Sequence, residues 1–213
     1  MDTRKLIAEA LGTFILVAIG SMAILSAKAA AAPILVVVPI GFGLALVAAI
    51  AVSGHVSGGH FNPAVTLAAF LDKRIDAMNA IGYAVAQVVG AVVASGLILA
   101  LSDKAAVAGT KNMPGAVGDG GAFLVEVVLT AIFIALILTV TKRDPGHAIL
   151  IIPLALVAIH AAGIPLSGAS VNPARALGPA IVSLDFAAIW IYLTAPFIGA
   201  VIGWLAYRFL AEE

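Results

Sequence analysis

The chain has 213 residues, of which 63% are apolar and only 10% are charged, and its mean hydropathy is +1.18. Soluble domains carry about 25% charged residues, so this composition excludes a water-soluble globule and a disordered chain and predicts an integral membrane protein. The 11 basic and 11 acidic residues balance, which excludes a basic surface for nucleic acid, and the absence of cysteine excludes disulfides, thiol catalysis and cysteine-bound metals.

Six apolar runs are long enough to cross a bilayer, which requires about 20 residues of helix. They are rich in Ala, Leu, Ile, Val and Gly and show no strict alternation, a pattern typical of helices rather than barrel strands. The runs lie at about 6–27, 34–53, 80–101, 122–141, 147–163 and 187–209. Because they occupy most of the chain, we expect one transmembrane domain over residues 1–213.

The basic residues near the ends of the runs predict the orientation, since cytoplasmic loops carry an excess of Lys and Arg. The first run is too long for a signal peptide and contains Glu9, so we expect it to stay as a span. Both termini are then expected in the cytoplasm, in an inner or plasma membrane. Seven basic residues lie on the side of the termini and three on the other: Arg4, Lys5, Lys73, Arg74, Lys142, Arg143 and Arg208, against Lys28, Lys104 and Lys111.

The chain resembles itself at an offset of 110 residues. Residues 44–67 and 154–177 share 12 identities in 24 positions, including Asn62-Pro63-Ala64 and Asn172-Pro173-Ala174. We therefore expect two repeats, about 1–110 and 111–213, with three spans each. An odd number of spans makes the second repeat enter the membrane from the opposite side, so the repeats are related by a twofold axis in the membrane plane.

Two segments between the spans are too short to cross the membrane. Residues 60–71 and 170–182 each place Asn at a helix N-cap and Pro at the first helical position, which predicts two apolar half-helices. The stretches 53–59 and 163–169 before them contain Gly and Ser and are predicted to be irregular, with free carbonyl groups. By repeat symmetry, the half-helices are expected to meet with their N-termini at the bilayer centre.

Two half-helix N-termini that meet at the bilayer centre indicate a channel for a small neutral solute. Each helix N-terminus carries roughly half a positive charge, which opposes cations, including a hydrated proton. The Asn62 and Asn172 amides offer donors. No covalent chemistry, metal, cofactor or ATP site is predicted, so we do not expect an enzyme. The backbone expected to line the pore belongs to Gly58, Gly59, His60, Phe61, Gly168 and Ser170.

The paired Asn-Pro-Ala motifs, with Gly59-His60-Phe61 before the first and Arg175 after the second, resemble the aquaporin family and its water-selective bacterial branch. The likeness extends from residues 8–14 to residues 196–199 and so covers the whole chain. It implies six transmembrane helices with two re-entrant half-helices, and a homotetramer with one pore in each subunit. It also implies an aromatic and arginine constriction at Phe42, His160, Ala169 and Arg175.

The residues of this constriction favour water as the permeant. Phe42 and His160 are bulky and narrow the pore, and His160 and Arg175 are expected to donate hydrogen bonds. The related glycerol channels usually have a small residue where His160 stands and Asp where Ala176 stands. Two departures from the water-channel pattern are Ala169, in place of Cys or Thr, and Leu193, in place of a second aromatic residue.

Three alternatives remain open from the sequence. The first is a broader facilitator of glycerol, ammonia or hydrogen peroxide. The second is a secondary transporter that uses Glu9 or Glu126 as a coupling carboxylate, although we favour a structural role in which each accepts hydrogen bonds from the backbone before a half-helix. The third is a purely structural membrane protein, which the polar strip through the apolar bundle disfavours.

Overall fold

The computed structural model describes residues 2–211, and this part of the chain is helical without strands. Six of its helices are long and apolar enough to cross a membrane, and two shorter helices of 9 and 11 residues lie between them in the chain, which confirms the predicted fold class. The helices are α1 (Thr3–Ala29), α2 (Ile34–Ala49), α3 (Pro63–Leu71), α4 (Ala77–Leu101), α5 (Gly118–Arg143), α6 (Ala148–Ser167), α7 (Pro173–Ser183) and α8 (Ile189–Ala211).

The half-helices α3 and α7 begin where the Asn-Pro pairs predict. Asn62 Oδ1 accepts from the Ala64 N–H at 2.9 Å, and Asn172 Oδ1 accepts from the Ala174 N–H at 3.0 Å. Proline follows at the first helical position of each, where no hydrogen-bond donor is needed. With 9 and 11 residues, they span about 14–17 Å at 1.5 Å per residue, or half a bilayer.

The stretches before the half-helices are less irregular than predicted. The helix of α2 continues through a π-helical turn, Ile50–Gly54, to Ser57, and α6 continues to Ser167. The prediction of irregular backbone over 53–57 and 163–167 was therefore wrong. Each helix ends instead at a glycine in the left-handed region, Gly58 at φ +96° and Gly168 at φ +79°, where a side chain would be strained.

The helix contacts follow an inverted repeat. In the first repeat α1 packs on α2 and α4, and in the second α5 packs on α6 and α8. The half-helices cross between repeats, since α3 contacts α8 and α7 contacts α4. The remaining large contact joins α2 to α6, which occupy equivalent places in the two predicted repeats.

Two equivalent glycines bring the long helices of each repeat together. A Cβ at Gly90 of α4 would lie 2.1 Å from the Ala10 carbonyl oxygen of α1, and one at Gly199 of α8 would lie 2.5 Å from the Val127 carbonyl oxygen of α5. Small residues permit such close approach between membrane helices. This packing explains the match of residues 90–92 with 199–201 in the sequence.

The molecule exposes apolar side chains on its long helices and keeps a set of polar side chains buried within a mostly apolar interior, as in an integral multi-pass membrane protein. We call the side where α1 begins and α8 ends the termini face. The loop over residues 102–117, which joins α4 to α5, lies at the opposite face. Exposed apolar side chains on the long helices include Ile7, Leu44, Ile81, Val93, Leu124, Ile132, Leu154 and Leu205.

Candidate functional site

A cavity of about 360 Å³ runs through the interior of the helix bundle. It reaches from Phe42, His160 and Arg175 to Arg74 and Thr141 near the termini face. Asn62, Asn172 and the backbone before both half-helices line its middle. His60 and Arg74 also line a second depression with Lys5 and Lys73, so the cavity approaches the termini face there.

The two motif asparagines bind each other's segments across the cavity. Asn62 Nδ2 donates to the Val171 carbonyl at 2.8 Å, and Asn172 Nδ2 donates to the Phe61 carbonyl at 2.9 Å. Each Oδ1 is occupied by its own half-helix. Because an amide nitrogen carries two N–H groups, each asparagine keeps one donor for a solute in the cavity.

The backbone at the crossing adopts a conformation that non-glycine residues rarely adopt. Phe61 has φ +49° and Val171 has φ +45°, both in the left-handed region. For a β-branched residue such as Val171 this conformation is a true outlier and costs free energy. The cost is offset because each of these residues supplies the carbonyl that the opposite asparagine binds.

The buried carboxylates hold the irregular backbone in both repeats. Glu9 accepts from Ser57 Oγ at 2.6 Å and from the His60 and Phe61 N–H groups at 3.0 and 2.7 Å. Glu126 accepts from Ser167 Oγ at 2.8 Å and from the Ser170 and Val171 N–H groups at 2.8 and 2.7 Å. Both carboxylates are fully buried, so these donors replace the water that each would otherwise bind.

Two tyrosines complete this support, and sequence reasoning did not assign them a role. The Tyr83 hydroxyl donates to the Ser57 carbonyl at 2.8 Å, and the Tyr192 hydroxyl donates to the Ser167 carbonyl at 2.7 Å. The two tyrosines thus bind the last helical residue before each irregular stretch. Tyr83 and Tyr192 match each other at an offset of 109 residues, and this match in the sequence was the feature that could have indicated a shared role.

Three of the four expected constriction residues come together at one end of the cavity. The Phe42 and His160 rings stack with centroids 4.6 Å apart and planes 18° apart. The Arg175 guanidinium carbon lies 5.3 Å from the Phe42 ring centroid, within range of a cation–π contact. Arg175 is only 5% exposed, so its charge is held inside the protein.

The expectation that His160 donates a hydrogen bond into the pore was wrong. His160 Nδ1 lies 2.9 Å from the Leu156 carbonyl oxygen, which can only accept, so the ring proton sits on Nδ1. A neutral His160 then offers Nε2 as an acceptor, and this atom has no partner among the described residues. The constriction therefore combines one donor, Arg175, with one acceptor.

Three predicted lining residues lie outside the cavity wall. Ala169 is fully buried, and its methyl group packs toward Gly163 of α6, 2.9 Å from where a Cβ would stand there. The Phe61 ring packs against Gly12 of α1 and only its carbonyl is used at the crossing. Gly168 turns its carbonyl toward a neighbouring loop. By contrast, Gly58, Gly59, His60 and Ser170 line the cavity as predicted.

Three polar residues at the site were not predicted to belong to it, although Arg74 entered the prediction of the orientation. Gln87 Nε2 donates to Glu9 Oε2 at 2.7 Å and to Thr66 Oγ1 at 2.9 Å. Arg74 donates to Thr141 Oγ1 at 2.6 Å and to the Leu138 carbonyl at 3.1 Å, near the C-terminal end of α5. Asn112, in the loop between α4 and α5, accepts a hydrogen bond from Arg175 Nη1.

Comparisons with known proteins agree on one family. The model of the major intrinsic protein family matches residues 1–207. The chain is 40% identical to "Glycerol uptake facilitator protein-like 6" of Lactiplantibacillus plantarum, over 99% of both chains. It is 39% identical to aquaporin Z of Bradyrhizobium diazoefficiens, over 100% of this chain and 95% of that one. Among solved structures, the aquaglyceroporin of Plasmodium falciparum superposes with a TM-score of 0.87 at 26% identity, covering 96% of this chain and 95% of that one.

Proposed function

The chain belongs to the major intrinsic protein family, whose members are membrane channels, and from the geometry of its cavity we propose that it conducts water passively down an osmotic gradient. In this proposal, water molecules pass in single file through each subunit and protons are excluded. The observation that carries the proposal is the meeting of two half-helix N-termini at the cross-bonded Asn62 and Asn172.

The asparagine pair is suited to orient water at the centre of the channel. The free N–H of each amide donates to the oxygen of a passing water molecule, which turns its hydrogens away from the centre toward both ends. The two positive helix ends add to this field and raise the energy of any cation there. A chain of water molecules with opposite orientations on the two sides does not relay a proton through the centre.

The constriction supports selection of water by pairing a donor with an acceptor. A water molecule can accept from Arg175 while it donates to His160 Nε2, and so replaces hydrogen bonds that it leaves in bulk water. The stacked rings of Phe42 and His160 supply bulk, and the Arg175 charge repels cations. We propose Phe42, His160 and Arg175 as the selectivity filter on these grounds.

A broader facilitator of glycerol or other small neutral solutes is the second candidate. A relative named as a glycerol facilitator and a structural neighbour named as an aquaglyceroporin favour it. His160 opposes it, because a bulky ring stands where glycerol channels keep a small residue, and Ala176 replaces their Asp. We therefore give water precedence.

A stopped-flow experiment on proteoliposomes separates the two candidates. We expect fast shrinkage in an impermeant osmolyte, followed in a glycerol gradient by no faster re-swelling than in protein-free vesicles. The matched variant His160→Ala, which opens the ring stack, should gain glycerol re-swelling and retain shrinkage. Fast re-swelling with the unchanged chain would favour the facilitator, and saturable, proton-dependent uptake without either signal would favour a transporter.

Glu9 and Glu126 support a channel rather than a proton-coupled transporter. Both oxygens of each carboxylate accept hydrogen bonds from protein donors, and both side chains are fully buried. A coupling carboxylate must exchange its proton with a substrate pathway. We infer that these two acids are structural.

We also propose that the termini face is cytoplasmic and that four copies assemble, each with its own pore. The absence of cysteine makes the orientation easy to test by adding single cysteines. In intact cells, Lys104→Cys at the opposite face should react with a membrane-impermeant maleimide, and Lys142→Cys at the termini face should not. The mass of the detergent-solubilised protein, after subtraction of bound detergent, tests the tetramer.

A further inference from the structure

The loop between α4 and α5 is fastened onto the second re-entrant segment at several points. The Gly115 N–H donates to the Leu166 carbonyl at 2.8 Å, and the Lys111 ammonium lies 2.5 Å from a carboxylate oxygen of Asp185. Lys28 Nζ donates to the Gly109 carbonyl at 2.8 Å and ties the same loop to α1. The loop is therefore a fixed part of the wall beside Arg175.

Asn112 is the residue of this loop that reaches the constriction. Its Oδ1 accepts from Arg175 Nη1, and its Nδ2 donates to the Gly168 carbonyl at 2.8 Å. Asn112 is 3% exposed, so neither bond competes with bulk water. One side chain thus joins the guanidinium to the backbone turn that precedes α7.

Arg175 has little else to hold it in place. Within residues 2–211, its guanidinium donates a hydrogen bond to Asn112 alone, and its buried Nε has no partner. The contact with the Phe42 ring restrains its distance from the ring but not the direction of its N–H groups. A long side chain with five donors and one protein acceptor has many rotamers open to it unless that acceptor stays fixed.

We propose that Asn112 is a positioning residue that holds the Arg175 guanidinium in the constriction and thereby sets the ratio of glycerol to water permeability. This inference rests on the proposed function, because it assigns a selectivity role within that channel. Without Asn112, Arg175 leaves the position opposite His160 for part of the time, and the constriction widens for solutes larger than water.

The test compares three variants in proteoliposomes by the ratio of glycerol to water permeability. Asn112→Leu keeps the branched shape and the number of heavy atoms in the side chain, and it removes both hydrogen bonds. Asn112→Asp keeps an acceptor for Arg175, now as a carboxylate, and replaces the donor to the Gly168 carbonyl by an oxygen that cannot donate. Lys111→Met removes a neighbouring anchor of the same loop and leaves Asn112 in place. Because both permeabilities are measured on the same vesicles, the ratio does not depend on how much protein folds.

We expect Asn112→Leu to raise the ratio about tenfold, which corresponds to the loss of one hydrogen bond to a charged group. Asn112→Asp and Lys111→Met should stay close to the unchanged chain. In an Arg175→Val background, Asn112→Leu should change the ratio no further, since there is no guanidinium left to position.

The proposal is overturned if Asn112→Leu leaves the ratio unchanged, if Lys111→Met raises it equally, or if the effects of Asn112→Leu and Arg175→Val add. These outcomes differ from a failure of the proposed function. That failure would appear as an absence of water flux in the unchanged chain, before any variant is compared.

Discussion

The two ends of the cavity are related by the pseudo-twofold axis, yet only one carries a polar constriction. At an offset of 110 residues, Phe42 corresponds to Ile152, and His160 corresponds to Ile50. Arg175 corresponds to Val65 in the same way. All of these residues line the cavity. The repeat therefore duplicates the backbone path, and the side chains make the two ends of the cavity chemically different.

The supports of the two re-entrant segments differ in a similar way. Both carboxylates bind three equivalent donors, but Glu9 also accepts from Gln87, and Pro196 stands at the matching position near Glu126. The second segment has Asn112 and Arg175 instead. The additional hydrogen bond near the first segment binds its carboxylate, Glu9. The additional hydrogen bond near the second segment binds Arg175 in the constriction, where the proposed selection takes place.

Removal of a buried carboxylate should produce the largest loss of stability, whichever of the two repeats carries the substitution. Glu126→Leu leaves three buried donors unpaired, at about 1–3 kcal/mol each, which exceeds the stability margin of many proteins. Glu9→Leu leaves four donors unpaired, two of them buried and two partly buried, since Gln87 also loses its acceptor. We expect both to lose monodisperse protein in detergent, measured by size-exclusion chromatography. Glu126→Gln retains one acceptor oxygen and should fold better than Glu126→Leu, and equal yields would contradict the role of these bonds.

Filling the equivalent close contacts should destabilise both repeats by similar amounts. Gly90→Ala and Gly199→Ala each place a Cβ within 2.5 Å of a carbonyl oxygen, so the helices must separate. Overpacking of this kind costs about 1–3 kcal/mol. Thermal unfolding in detergent measures the effect. The matched control is Gly96→Ala in α4, where a Cβ meets no atom within 4 Å, and we expect it to be neutral or slightly stabilising.

Removal of the buried charge should reveal the functional asymmetry between the two ends. Arg175→Val introduces the residue type that stands at the equivalent position of the first repeat, Val65. We expect proton and cation leakage to rise because the local positive charge is gone. Val65→Ala at the other end should raise leakage much less. Leakage is measured with a pH-sensitive dye inside proteoliposomes. An equal rise in the two variants would show that both ends contribute alike.

The smallest effect should come from acidic residues after the half-helices. The Lys111 ammonium beside Asp185 lowers the pKa of that carboxyl from its usual 3.8, and the N–H groups of Asn79 lower the pKa of Asp76. A lowered folded-state pKa stabilises the fold above the unfolded value and loses this contribution as the pH falls below 3.8. Asp185→Asn should therefore reduce the decrease in melting temperature between pH 5 and pH 3. The matched control is Asp119→Asn, since Asp119 is exposed and forms no ion pair with any of residues 2–211.

The fold was predictable because its determinants are local or repeated. Apolar runs of about 20 residues define membrane spans, and Asn62-Pro63 and Asn172-Pro173 define helix starts by capping alone. The helix ends were less predictable. Residues 163–169 were predicted to be irregular, but α6 continues to Ser167 and ends there because Gly168 adopts the left-handed conformation.

The candidate site was predictable only in part, since its contacts join residues far apart in the chain. The positions of Phe42, His160 and Arg175 came from a family resemblance, and the structure brings their side chains together. The hydrogen-bonding role of His160 depended on the Leu156 carbonyl, one turn away, and was predicted wrongly. Asn112 lies 63 residues from Arg175 and belongs to no motif, so nothing in its surroundings in the chain marked it.

The sequence by itself determined the membrane setting, the six spans, the inverted repeat and the two half-helices. Hydropathy and helix capping depend only on neighbouring residues. The repeat is visible because the same motif occurs twice, and its inversion follows from the odd number of spans in each half. Only the tertiary structure decided which atoms meet at the centre and at the constriction. There, the left-handed backbone of Phe61 and Val171 is held by bonds from the opposite repeat, and Arg175 is held by a distant loop. Such arrangements depend on packing the whole bundle, which no segment encodes alone.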